Sequence, residues 1–232
     1  MPACPGDIIS YLEMCQEWGT SFQAGMNFRV RPDHSVLLMS RRPNAPYKDR
    51  VEDHGRILIY EGHDARRRVD GLDPKMIDQP RAYPGGSLTQ NGLFEQAALS
   101  YKNRQQSPEL VSVYEKIHSG IWAFNGNFEL VDAWLEHDGH RNVFKFRLNI
   151  SDGTPAAMAA QLDELDHDRL IPSSVKLEVW KRDQGKCVKC GSDKNLHFDH
   201  DIPYSKGGSS SDPANIRILC ARHNLQKRDN IE

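Results

Sequence analysis

From Phe22 to about Leu148 the pattern of apolar and polar positions is mostly that of strands. RILIY at 56–60 is a short β-rich run, and LVSVYEKI at 110–117 alternates in part. NFELVDAWL and NVFKFRL flank Asp138-Gly139, a hairpin signal, and Asn125-Gly126 marks a second tight turn. One helix interrupts the strands: GLFEQAALSYK puts Leu93, Phe94, Ala97, Ala98 and Tyr101 on one face. The segment 63–87 is rich in Arg, Asp, Pro and Gly and weakly periodic, and reads as a large functional loop rather than core.

Helical patterns flank this β-rich stretch. Residues 7–18, DIISYLEMCQEW, place Ile8, Leu12 and Cys15 on one face, with Asp7 as the N-cap and Gly19 as the stop. Thr154-Pro155 starts an acidic, Ala-rich helix that ends before Ile171-Pro172. Ser173 or Ser174 then caps VKLEVWKRD, a short amphipathic helix. The predicted class is α+β. A mainly β domain occupies 1–150, an acidic linker helix 151–172, and a small domain 173–232, which 232 residues can accommodate.

Composition is that of an ordinary globular chain, and no apolar run approaches the ~18 residues of a membrane span. The expected partners therefore include no membrane. The N-terminus lacks a basic region followed by an apolar core, so no secretory signal is expected and the cytoplasm is the expected compartment. Five cysteines, three in ligand-like spacing, suit a reducing compartment better than a disulfide framework. The net charge of −2 does not point to DNA by itself. Its distribution is uneven: residues 173–232 carry 11 basic and 8 acidic side chains, whereas 151–172 carry 1 and 5.

The chemistry concentrates between Cys187 and Lys227. Cys187-x2-Cys190 and Cys220-x2-His223 are separated by 29 residues. Three thiolates and one imidazole on two tight knuckles suit a closed, structural zinc site. A module of about 60 residues buries little core, so such a staple supplies folding energy. Asp199-His200 is not explained by that site. Neighbours on an extended segment point to opposite sides, so one side chain can hold a metal while the other faces substrate. The order strand, loop, strand, helix lets Asp199 and Asn224 converge on one ion.

This stretch resembles the HNH, or ββα-metal, nuclease family: C-x2-C, D-H-x-x-P, G-G, N, C-x2-C/H and N-x2-K, over about residues 174–230. The resemblance implies that His200 is the general base and Asp199 a ligand of a catalytic divalent metal, magnesium or manganese. Asn215 steadies the loop and His200, and Asn224 is the second metal ligand. Arg222 and Lys227 contact phosphate. His223 is assigned to zinc, the alternative being the catalytic ion.

Upstream, QAGMNFR, YKDRVEDHGRILIYEGH, GGSLTQNGLFEQAAL and the strands from LVSVYEK to VFKFRL resemble, in order and spacing, the SRA domain, which binds modified cytosine in DNA. That resemblance implies a curved sheet or barrel with flanking helices, and a base flipped into a pocket. Tyr47 and Tyr60 match the stacking aromatics. Asp49 matches the carboxylate that reads the cytosine edge, with Asp53 as its rival. Arg66, Arg67, Arg68 and Lys75 lie in the loop that probes the DNA. Together the two resemblances imply a bacterial, type IV-like restriction endonuclease dependent on 5-methylcytosine or 5-hydroxymethylcytosine. Cutting both strands of double-stranded DNA implies a homodimer. The alternatives are a reader with an inactive nuclease module and a nuclease indifferent to modification.

Overall fold

The computed structural model describes residues 4–32, 34–66, 71–151, 170–203 and 206–227. The predicted linker helix lies almost wholly outside them, at 152–169. Ten strands join in one sheet. They are β1 (Asp7–Ser10), β2 (Met26–Arg31), β3 (His34–Met39), β4 (Arg50–Glu52), β5 (Ile57–Glu61), β6 (Glu109–His118), β7 (Ile121–His137), β8 (Asn142–Ile150), β9 (Leu196–His200) and β10 (Ile216–Cys220). Among the described residues four helices accompany them: α1 (Tyr11–Trp18), α2 (Gln90–Lys102), α3 (Ser173–Arg182) and α4 (Ala221–Lys227). No helix among the described residues is long and apolar enough to cross a membrane.

β7 is the spine. One edge pairs with β6; the other pairs first with β1, through Ile121–Ala123, and then with β8, from Phe128 to His137. β6 is buried on both faces. Val111 and Val113 point into a core shared with Phe94, Phe144 and Phe146 under α2, while Tyr114 points the other way, to Met14 and Trp122 beside α1. β1 also pairs with β9, so the C-terminal region extends the same sheet in the order β10-β9-β1-β7-β6-β3-β2. A third core, with Val175, Val179, Phe198 and Ile218, includes Ile117 and Ala123 of the central strands.

Four local expectations are corrected. Residues 7–18 do not form one helix: Asp7–Ser10 is a strand and α1 begins at Tyr11. Ser10, not Asp7, is the N-cap, because Ser10 and Glu13 form a reciprocal capping box. Asn125-Gly126 is not a turn but a β7 bulge opposite Val113 and Tyr114; the chain reverses at Ser119-Gly120, where Gly120 has φ +72°. α3 has Pro172 at its N-cap and no side-chain cap, because Ser173 hydrogen-bonds Glu115 instead. The Asp138-Gly139 hairpin is as expected, with the Asp138 carboxylate accepting from the His140 and Arg141 N–H groups. Among its described residues the 63–87 segment has no strand of its own, only the 3-10 turn Pro74–Met76, yet its base is built into the core. Gln79 is buried, donates to the Gly62 carbonyl (2.6 Å) and accepts from the Phe144 N–H (2.8 Å).

Candidate functional site

β9, β10 and α4 bring the two knuckles together. The ligand atoms of Cys187, Cys190, Cys220 and His223 all lie within 4.8 Å of one another. Cys190 Sγ and Cys220 Sγ are 3.8 Å apart, and His223 Nδ1 is 3.3 Å from Cys187 Sγ and 3.4 Å from Cys220 Sγ. Two thiolates each ~2.3 Å from a tetrahedral zinc are separated by about 3.8 Å, so the cluster fits that ion. Burial pushes the Cys187 thiol up, but N–H groups of Cys220, Lys189 and Cys190, with His223, bring it down to about 6. Thiolate, the metal-binding form, is therefore favoured there.

Asp199, His200 and Asn224 line one cavity of about 440 Å³, together with Asp7, Asn125 and Lys176. His200 Nε2 lies 2.8 Å from Ser210 Oγ, and Ser210 is buried. Burial holds His200 below its ordinary value; the Asp199 charge opposes this and Lys227 adds to it. A neutral imidazole is the form that accepts a proton. Asn215 is buried and closes the loop: its Oδ1 accepts from the Ile202 N–H (2.8 Å), and its Nδ2 donates to the carbonyls of Ile202 (3.2 Å) and Ser209 (2.9 Å). A Cβ at Gly208 would sit 1.8 Å from the Ile202 carbonyl oxygen, so this loop admits only glycine there.

Lys227 differs from expectation. It is buried, its Nζ donates to Asp199 Oδ2 (2.6 Å) and to the His200 carbonyl, and it is not available to phosphate. Its side chain runs back along α4 onto β9, as helical side chains do. Arg222 is exposed. Asp199 and Asn224 offer hard oxygen donors, which fit magnesium or manganese.

A second cavity, of about 630 Å³, lies among the other strands and is lined by Tyr47, Asp49, Tyr60, His63, Met39 and Trp122, among others. Asp49 accepts from the Glu61 N–H at 3.0 Å. Burial pushes its carboxyl up to about 7, against the pull of that hydrogen bond. Tyr60 is buried in the core, and its hydroxyl lies 3.3 Å from the Leu38 carbonyl and 3.3 Å from His63 Nε2. Asp53 is not part of this cavity. It sits in the 3-10 turn Asp53–Gly55 and lines a separate cleft with Arg41 and Lys176, so Asp49 is the carboxylate that joins the two tyrosines.

His63 was not picked out by sequence reasoning. Its ring stacks on Tyr47 at 5.2 Å and 13°, and burial lowers its pKa to about 4. The Asn91 side chain clamps both its N–H (2.8 Å) and its carbonyl (2.9 Å). Lys75 lies 4.3 Å from the Tyr47 ring centroid and pairs with Asp64 (2.9 Å), which Arg141 also binds. Arg66 lies 5.7 Å from the Tyr83 ring centroid. Arg67 and Arg68 fall outside the described residues.

Residues 187–230 match the family model for HNH endonuclease. Solved structures similar to the chain include the SRA domain of SUVH5 in complex with hemi-methylated CG DNA, at 21% identity and a TM-score of 0.45, covering 67% of this chain and 93% of that one. The SUVH5 SRA bound to fully hydroxymethylated CG DNA is 20% identical with a TM-score of 0.45, covering 66% and 93%. Arabidopsis thaliana SUVH6 in complex with SAM is 20% identical with a TM-score of 0.43, covering 86% and 32%. No curated protein matches the chain.

Proposed function

We propose that the chain is a modification-dependent DNA endonuclease that holds a flipped, C5-modified cytosine in the larger cavity and hydrolyses a phosphodiester bond at Asp199, His200 and Asn224. The observation that carries this reading is the convergence of those three side chains on one cavity, inside a Cys3His-stapled region that matches the HNH endonuclease model. The reader half is supported by the SRA-like order of motifs and by the meeting of Tyr47, Asp49 and Tyr60 at one cavity.

Asp199 and Asn224 would hold a divalent ion, magnesium or manganese, which would supply positive charge at the leaving oxygen. Neutral His200, oriented by Ser210, takes the proton of the attacking water. The water oxygen bonds to phosphorus as the opposite P–O bond breaks. Asn215 holds the 202–209 loop, and Lys227 fixes the Asp199 carboxylate and the His200 backbone. Cys187, Cys190, Cys220 and His223 would hold a structural zinc, which would tie β9, β10 and α4 together. In the larger cavity Tyr47 and Tyr60 contact the base and Asp49 hydrogen-bonds its edge. Cutting both strands requires two copies of the single active site, hence a homodimer.

The test is cleavage of a methylated duplex by wild type and His200→Ala. The variant is expected to bind normally and to cut slower by a factor of about 10²–10⁴. Equal cutting by the two proteins would overturn the assignment of His200.

A further inference from the structure

We propose that Lys176, Glu115 and Asn125 form a buried positioning unit that fixes the nuclease region on the sheet carrying the base cavity, so that cutting falls at one offset from the bound base. The part of this statement that concerns cutting rests on the function proposed above.

The junction has three kinds of contact. The first is the sheet itself, where Ile8 pairs with Ala123 on one side and with Leu196 on the other. This ladder is short: Asp7 and Ile8 pair with His197 and Leu196, the Phe198 N–H donates to the Gly6 carbonyl (3.0 Å), and Asp7 lies on His197 Nδ1 (2.5 Å). The second is apolar, with Ile117 and Ala123 in the same core as Ile171, Val175 and Val179. Such contacts are non-directional and tolerate sliding.

The third is directional. Lys176 on α3 donates to Glu115 Oε2 of β6 (2.9 Å) and to Asn125 Oδ1 of β7 (2.6 Å), and Asn125 Nδ2 donates to Glu115 Oε2 (3.2 Å). All three residues are 3% exposed, so the ring of bonds is shielded from water. Burial alone would raise the Glu115 carboxyl, but the Lys176 charge and hydrogen bonds from Ser173, Lys176 and Asn125 hold it below its ordinary value. A buried pair of this kind adds little net stability over an apolar replacement; the role assigned to it by this proposal is to select one geometry.

The bulge explains how Asn125 reaches this place. An extra residue in a strand re-aims the side chains beside it, and Gly126 absorbs the distortion at φ +113°. Asn125 Nδ2 also approaches Met39 Sδ (3.7 Å), and Met39 lines the base cavity. Asn125 and Lys176 themselves line the nuclease cavity. The unit thus lines the nuclease cavity and touches the base cavity through Met39.

The test uses the full chain and a duplex with a single 5-methylcytosine, with cut positions mapped to the nucleotide. Wild type is expected to cut at one dominant position per strand. The double variant Lys176→Met/Glu115→Gln removes both charges without leaving one unpaired. It is expected to bind the duplex within about threefold of wild type and to lose at least about half of the cuts at the dominant position to neighbouring bonds. An unchanged distribution of cuts would overturn the proposal.

A second readout needs no DNA. Amide exchange in α3 and β9 is expected to rise about tenfold or more in the double variant while β6 and β7 keep their protection; unchanged exchange in α3 and β9 likewise overturns it. Should wild type fail to cut the modified duplex, the proposed function fails, and amide exchange still decides the positioning unit. Asn125→Ser, read in the same two ways, replaces the double variant if the latter does not fold.

Discussion

The larger cavity takes its walls from residues as far apart as Tyr11 and Trp122, whereas the side chains proposed for hydrolysis lie between Asp199 and Asn224. The first is a by-product of a large sheet core, and its rigidity comes from strands packed on both faces. The second sits on two five-residue strands and a seven-residue helix, which bury little on their own. It extends the larger sheet through β1, and the Cys3His cluster that could hold a metal ion lies beside it. The carboxylates differ in the same sense. Asp199 is gripped by the Lys227 ammonium at 2.6 Å, whereas Asp49 takes an N–H bond from Glu61 and is pushed up to about 7 by burial. A buried carboxyl with a raised pKa suits the hydrogen-bonding edge of a neutral base, whereas Lys227 fixes the orientation of Asp199 through one of its two oxygens.

The largest effect that separates the two regions comes from the metal. Chelation, or Cys187→Ser, removes structural zinc binding of order 10 kcal/mol. Amides of Leu196–His200 and Ile216–Lys227 are expected to lose protection while those of β6 and β7 keep it; loss of protection everywhere would show that the regions do not differ in this way.

The next effect belongs to Asp49. Its folded value, about 7, lies above the ordinary carboxylate range. The folded protein therefore keeps a proton that the unfolded chain releases above pH ~4. The stability this adds is complete below pH ~4 and is lost as pH rises to about 7, at up to about 1.4 kcal/mol per pH unit. Asp49→Asn is expected to gain stability relative to wild type across that window, measured by denaturant unfolding at each pH. A difference that stays flat with pH would contradict the buried carboxyl.

The smallest effect is local to the aromatic wall. Tyr47→Ala is expected to weaken binding of a modified duplex by about 1–3 kcal/mol, with the cleavage rate at saturation unchanged. A fall in that rate with binding intact would place Tyr47 on the wrong side of the comparison.

How far the sequence could be read follows the same division. C-x2-C and C-x2-H are each local knuckles whose ligand atoms come together, and Asp199 and His200 line one cavity. Lys227 lies in the same stretch, yet its contact with Asp199 is not legible there, because the direction of a helical side chain depends on the strand beneath it. Ser210 carries no spacing signal; only the closed loop brings it to His200. In the β-rich region, strand pattern and the Asp138 hairpin were legible because period and turn chemistry are local. The Asn125-Gly126 bulge was not, since a bulge exists only relative to its partner strand. His63 enters the larger cavity because Asn91, on α2, clamps its backbone, a long-range contact without a local mark. Asp49 and Asp53 were inseparable by letters alone and are separated by the 3-10 turn that carries Asp53 away.

The central claim is that the larger cavity decides where the nuclease cavity acts. The most direct measurement is cleavage, with magnesium or manganese, of matched duplexes that differ only at cytosine C5. The account predicts cutting of the modified duplex and little or none of its unmodified copy. Equal rates on the two duplexes would contradict it.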